Sequence, residues 1–194
     1  MAGASEVGEE IEHAGKENKS IALLIAVLAL FLAFAGAGGK GAQTEASTEN
    51  VEVANLWAFY QAKAIRGTTL SAFAELLESE IGSETNPAVK AAKEQQIKAW
   101  KQTIARYESE PETREGRKEL AERAKLVEEH RETSMGKYHN YEIASAALEI
   151  GIVLASATII TGIAALAWIA GGLGIIGLVF MGIAMLAPQA VHFL

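Results

Sequence analysis

One carboxylate lies inside the longest apolar stretch of the chain. Glu149 is the only charged residue between Ile143 and Ala187. A carboxylate within a membrane-length segment is costly, so it faces a helix partner, an aqueous path or the headgroup region. Ser145, Ile152 and Ser156 share its helical face. Glu149 is therefore the candidate for an oligomer contact or an ion path, set against a plain interfacial carboxylate. His139 and Glu142 form an i, i+3 pair just outside the stretch. In di-iron bundles such pairs act together with a second pair and further Glu residues. A single pair reads as solvated interfacial groups, and no metal ligand is assigned. Trp57, Phe59, Tyr60 and Trp100 offer aromatic faces to a ligand, but their spacing is that of a packed helix seam. His192, after Pro188, reads as interfacial. No Ser-His-Asp set, Walker loop or G-x-G-x-x-G is present. The expectation is a non-enzyme with no catalytic residue and no cofactor.

The elements that must position Glu149 follow from where the apolar residues fall. Half of the 194 residues are hydrophobic, and they collect in Ile21–Ala37 and Ile143–Ala187 around a charged middle. Two bilayer passes need about 20 apolar residues each, and the second block supplies both. The first run, Ile21–Gly39, supplies another. Ala33-Phe34-Ala35 resembles a signal cleavage site, but the acidic lead of twenty residues argues against a signal sequence. The fold class expected is all-α: an integral membrane protein with three transmembrane helices and a long helical coiled-coil insert. The segments are an acidic flexible tail at 1–20, spans at 21–39, 143–167 and 170–188, and the insert at 40–142. The second span is expected to end at Trp168, with the return at Gly171-Gly172.

Small residues mark the faces where helices approach closely. They are Ala22, Ala26, Ala29, Ala33 and Gly36 in the first span, and Ala147, Gly151 and Ala155 in the second. In the third, Gly174 and Gly177 follow Gly171. These faces are expected to pack on one another or on the Ala stripe of the first span, whose Leu and Phe residues would then face lipid.

The insert reads as three helices. Val53, Trp57, Tyr60 and Ala64 stripe the first, Gln43–Ile81, and Leu70, Phe73, Leu77 and Ile81 resume the stripe after a slip near Gly67-Thr68-Thr69. The 82–87 stretch has turn chemistry. Ile97, Trp100, Ile104 and Tyr107 stripe the second helix, Ala88–Tyr107. Ser109 and Glu112 match a capping box for a third helix starting near Glu110, striped by Leu120, Ala124 and Val127, then Met135 and Tyr138. The Glu/Lys/Arg run at 108–132 reads as a solvated face.

The stretch Asn55-Leu56-Trp57-Ala58-Phe59-Tyr60-Gln61-Ala62-Lys63-Ala64-Ile65-Arg66, between a first span and the run Ala147-Leu148-Glu149-Ile150-Gly151-Ile152-Val153-Leu154-Ala155-Ser156, resembles a bacterial membrane-protein family known as a domain of unknown function. The resemblance covers nearly all of the chain after the tail. It implies three spans with a helical insert, and it implies no reaction, cofactor or partner. The chain lacks the Arg-rich loop that the family would place before its third span.

Charge bounds the remaining classes. The net −7 divides into −3 in residues 1–20, −3 in 40–142 and −1 at Glu149. No basic patch stands out, so nucleic acid is not an expected partner. The absence of cysteine excludes disulfides and thiolate metal sites. Every acidic residue is Glu, which tolerates helix interiors better than Asp. Lys40, Arg123, Lys125, Arg131 and Lys137 flank the insert, against Lys16 and Lys19 in the tail. Positive charge is retained inside, so the insert is expected to be cytoplasmic in a bacterial inner membrane. The expected partners are the lipid bilayer and further copies of the chain. The function expected is a membrane-anchored helical scaffold that self-associates. The alternative is a subunit of an oligomeric ion channel or transporter with Glu149 lining the path.

Overall fold

The computed structural model describes residues 2–190, with side chains from Lys19 onward. The tail expected at 1–20 falls, up to residue 18, outside the described side chains, and His192 falls outside the described residues. The described chain is all-α and has no strand: α1 (Ala2–Ile81), α2 (Pro87–Glu108), α3 (Arg117–Thr161) and α4 (Ala164–Leu186). Stretches of α1, α3 and α4 are long and apolar enough to cross a membrane. The chain divides into two compact units, Met1–Ala46 with Glu132–Leu194, and Ser47–Arg131.

In the first unit, α1, α3 and α4 pack around Leu28, Ala35, Ala144 and Leu148, with Phe31, Leu32 and Phe180 against them. Two expectations are corrected here. The helix expected over Gln43–Ile81 is continuous with the first apolar run, because α1 is one helix through Gly36–Gly41. Gly38 and Gly39 lie against Tyr141 of α3; a Cβ on Gly38 would stand 2.6 Å from the Tyr141 ring. These glycines make a recess for an aromatic ring, and no proline interrupts the helix. The return between α3 and α4 falls at Gly162-Ile163, not at Gly171-Gly172. Gly162 takes φ 69°, a left-handed conformation open to glycine, and its N–H donates to Thr158 O as α3 ends. Trp168 accordingly sits inside α4 and is 84% exposed. The far end of α4 is tied to α3. Asn140 Nδ2 donates to Pro188 O at 3.1 Å and to Gly136 O at 2.8 Å, and Gln189 Nε2 donates to Thr133 Oγ1 at 2.9 Å.

In the second unit, Leu56, Leu120 and Ala124 form the core, with Trp57, Tyr60 and Val127 against it. The stripe expected on α1 is on the inner side: Val53 is buried, and Trp57, Tyr60 and Ala64 are half-buried. Phe73 is exposed and meets the half-buried Trp100 at 6.3 Å between ring centroids. The slip at Gly67-Thr68-Thr69 leaves the helix unbroken, and the Thr68 and Thr69 hydroxyls donate to Ala64 O and Ile65 O. Asn86 caps α2, its side chain accepting from Ala88 N at 3.0 Å, with Pro87 in the first turn.

The capping box expected at Ser109 and Glu112 is replaced by a longer reach. Ser109 ends α2, and α3 starts only at Arg117. Between them Arg114 takes φ 58° and turns the chain. Glu119, in the first turn of α3, accepts from the Ser109 hydroxyl and from Glu110 N. The carboxylate that accepts from Ser109 comes from seven residues beyond Glu112.

Leu120 is fully buried and Leu126 is 57% exposed. Leu120→Ala should cost about 2–5 kcal/mol through the cavity it leaves, whereas Leu126→Ala should stay within about 0.5 kcal/mol. Urea unfolding of the detergent-solubilised full chain, followed by circular dichroism, measures both.

Candidate functional site

Three apolar helices meet at one side chain. Leu28 of α1 is buried over two glycines, Gly151 of α3 and Gly174 of α4. A Cβ on Gly174 would lie 2.6 Å from Leu28 Cδ2, and one on Gly151 would lie 3.4 Å from Leu28 Cδ1 and 3.2 Å from Ala170 O. One level away, Leu148 of α3 fills the space over Gly177 of α4, where a Cβ would stand 2.8 Å from Leu148 Cγ. Ala147 and Ala155 are buried on the same side of α3. The small residues of α3 and α4 therefore lie inside the bundle.

Those of α1 do not. Ala22, Ala26, Ala29, Ala33 and Gly36 are all exposed, and a Cβ on Gly36 would meet nothing within 4 Å. The expectation that this stripe receives α3 or α4 within the chain is corrected. Leu24, Leu28, Phe31 and Leu32 turn inward with Ala35, and Leu28 fills the hole over the glycines at interior density.

The packing fixes the direction of Glu149. Successive helical residues are about 100° apart, so a Leu148 seated on Gly177 turns its neighbour away. Glu149 is exposed, beside Ile150 and Val153 at 53% and 65% exposure. No described residue bonds or pairs with its carboxylate. Ser156 shares the general face, but its hydroxyl donates to Ile152 O at 2.8 Å. At 1.5 Å per residue, the stretch from Tyr141 to Thr161 is about 30 Å long, and Glu149 stands about 12 Å from the Tyr141 end.

The other candidates are dispersed. His139 Nδ1 lies 3.7 Å from Glu142 Oε2, and no third His, Cys, Asp or Glu completes a metal-holding group among the described residues. The aromatic residues form two separate pairs rather than one platform. Trp57 and Tyr60 meet edge-on at 5.4 Å, and Phe73 meets Trp100. Trp57 Nε1 donates to Glu128 Oε1 at 3.0 Å.

The second unit holds a charged junction that the sequence reading missed. Lys63 is only 6% exposed, with its ammonium 5.1 Å from the centre of the Phe59 ring. Arg117, at the start of α3, donates to Tyr60 Oη at 3.0 Å and to Glu108 Oε2 at 2.8 Å. The Tyr60 hydrogen bond, followed by the Glu108 charge, holds the guanidinium pKa above its ordinary value. The signal was spacing: Leu56, Tyr60 and Lys63 follow i, i+4, i+7, which puts Lys63 on the buried stripe.

Two carboxyl groups here titrate low. The Arg106 hydrogen bond holds Glu110 below 4.5, and the Ser109 hydroxyl does the same for Glu119. A carboxyl group with a depressed folded value contributes stability above its unfolded value and loses it as pH falls through the folded one. Thermal melting should therefore be level near neutrality and fall below pH 4.5. Glu119→Gln should flatten that fall. In the other unit, Gly177→Val should cost about 1–3 kcal/mol by overpacking against Leu148. Gly172→Val, where a Cβ meets nothing within 4 Å, should leave melting in detergent unchanged.

Neither a curated protein nor a solved structure matches the chain. A family match does cover most of it: the family described as Domain of unknown function (DUF4337) matches residues 17–187, and the protein belongs to that family.

Proposed function

We propose that this protein is a membrane-anchored helical scaffold that self-associates through the face of α3 carrying Glu149. α1, α3 and α4 each cross the bilayer, and residues 47–131 stand outside it on the cytoplasmic side of a bacterial inner membrane. The lengths support the crossing: about 30 Å from Tyr141 to Thr161 equals the hydrocarbon thickness. Tyr138 and Tyr141 fall at one edge of that slab and Trp168 near the other, as interfacial aromatics do. The charges around the insert support its side.

The observation that carries the reading is the direction of Glu149. At about 12 Å depth, its carboxylate points away from the chain's own helices. In a single copy it would face lipid, at a cost of several kcal/mol. A second copy covers it with protein. No reaction is assigned to the scaffold, and an ion path, if copies form one, would run between them rather than through one bundle.

The mass of the detergent-solubilised particle tests the reading, with a multimer expected. Glu149→Gln keeps the size and a hydrogen-bonding group and should preserve the multimer. Glu149→Leu removes the group that is costly in lipid and should weaken it. A monomeric wild type contradicts the proposal. An intact multimer in both variants, with altered ion flux in liposomes, would shift the role to transport. The sidedness is tested in the cysteine-free chain with Ser5→Cys and Ser79→Cys. Only position 5 should react with an impermeant thiol reagent in intact cells, and labelling at 79 alone would reverse the assignment.

A further inference from the structure

A cavity of about 200 Å³ lies between α1, α2 and the start of α3 in the second unit. Lys63, Gly67, Thr68 and Ser71 line it from α1, Tyr107 and Glu108 from α2, and Arg117 from α3. The side chain of Lys63 is more than nine-tenths buried, yet its nearest carboxylate oxygens are on Glu110 at 3.8 Å and Glu115 at 3.9 Å. Those distances are ion pairs but not hydrogen bonds. An ammonium has three N–H donors, and the partners of Lys63 are two carboxylates beyond hydrogen-bond distance and the faces of Phe59 and Tyr107.

Two of the surrounding carboxylates are also held by arginines. Glu110 is held by Arg106 at 2.8 Å and 3.0 Å, and Glu108 is held by Arg117 at 2.8 Å. Glu115 is half exposed and pairs with Lys63 at 3.9 Å, without a hydrogen bond. Glu108 and Arg117 cancel on the cavity wall, which leaves the Lys63 charge as the net charge of the lining. The Ser71 and Tyr107 side chains add hydroxyl groups beside it, while the Thr68 proton goes to Ala64 O.

We propose that this cavity binds a small oxyanion, a carboxylate or a phosphate group, with Lys63 as its principal donor. The size admits a few heavy atoms beyond the anionic group, and the tyrosine and isoleucine walls, Tyr107 and Ile104, would meet its apolar part. Arg117 stays engaged with Glu108 and Tyr60 and shapes the wall.

Calorimetric titration of the full chain in detergent with sodium acetate, and separately with sodium phosphate, tests this at constant ionic strength against sodium chloride. Saturable binding of at least one of the two is expected, and which one binds identifies the anionic group. Lys63→Met should weaken it at least tenfold. Gly67→Leu is the second variant, because a Cβ at Gly67 meets nothing within 4 Å. It fills the cavity, leaves Lys63 in place and suits a helix better than glycine, so it should fold and also lose binding at least tenfold. Absence of saturable binding of either anion to the wild type overturns the proposal, and so does wild-type affinity in a folded Gly67→Leu protein.

Discussion

Leu28 over Gly151 and Gly174 is the contact on which the rest of the apolar unit depends. Helices whose surroundings are as apolar as their own surfaces gain little from leaving them, and close packing has to hold them together. Glycine lets two backbones approach, and a leucine knob then fills the hole. Once that contact and the Leu148 seat on Gly177 are made, the rotation of α3 is set. Glu149 follows Leu148 in sequence and therefore points outward. A packing constraint thus produces the exposed carboxylate from which self-association is proposed.

The second unit is held in another way. Its core is short, Leu56, Leu120 and Ala124 with two aromatic rings. Around it, charges cross between helices: Lys93 to Glu80 at 3.0 Å, Lys101 to Glu78 at 2.6 Å, and Arg117 to Glu108. Exposed pairs of this kind each contribute about 0–1 kcal/mol, so they set register more than they set stability. The Lys63 junction differs because its charge is buried and loosely paired, which is where a small anion has something to contribute.

How much of this was legible in the sequence depended on contrast. Where a helix has one wet and one dry side, apolar spacing reports its orientation, and the Val53–Trp57–Tyr60 stripe reads correctly. Within the three apolar stretches both sides are apolar, so spacing loses its meaning. Small residues then no longer mark the packing face of α1: Leu28 and Ala35 face inward, and Ala22, Ala26, Ala29, Ala33 and Gly36 face out. The Gly171-Gly172 pair misleads for a related reason: two adjacent glycines mark flexibility, but only a place where the helix ends uses it, and that place is Gly162. The start of α3 was missed because Glu119, not Glu112, reaches back to Ser109, and a contact across ten residues leaves no local pattern. Lys63 was legible from its i, i+7 spacing to Leu56, and charge alone kept it out of the seam.

Disulfide trapping in native membranes tests the proposed self-association most directly. Val153 shares the outward face of α3 with Glu149, whereas Ile175 is equally exposed at 65% but lies on α4. In the cysteine-free chain, Val153→Cys should cross-link between copies under mild oxidant, and Ile175→Cys should not. Cross-linking at 175 with none at 153 would contradict an interface on the Glu149 face.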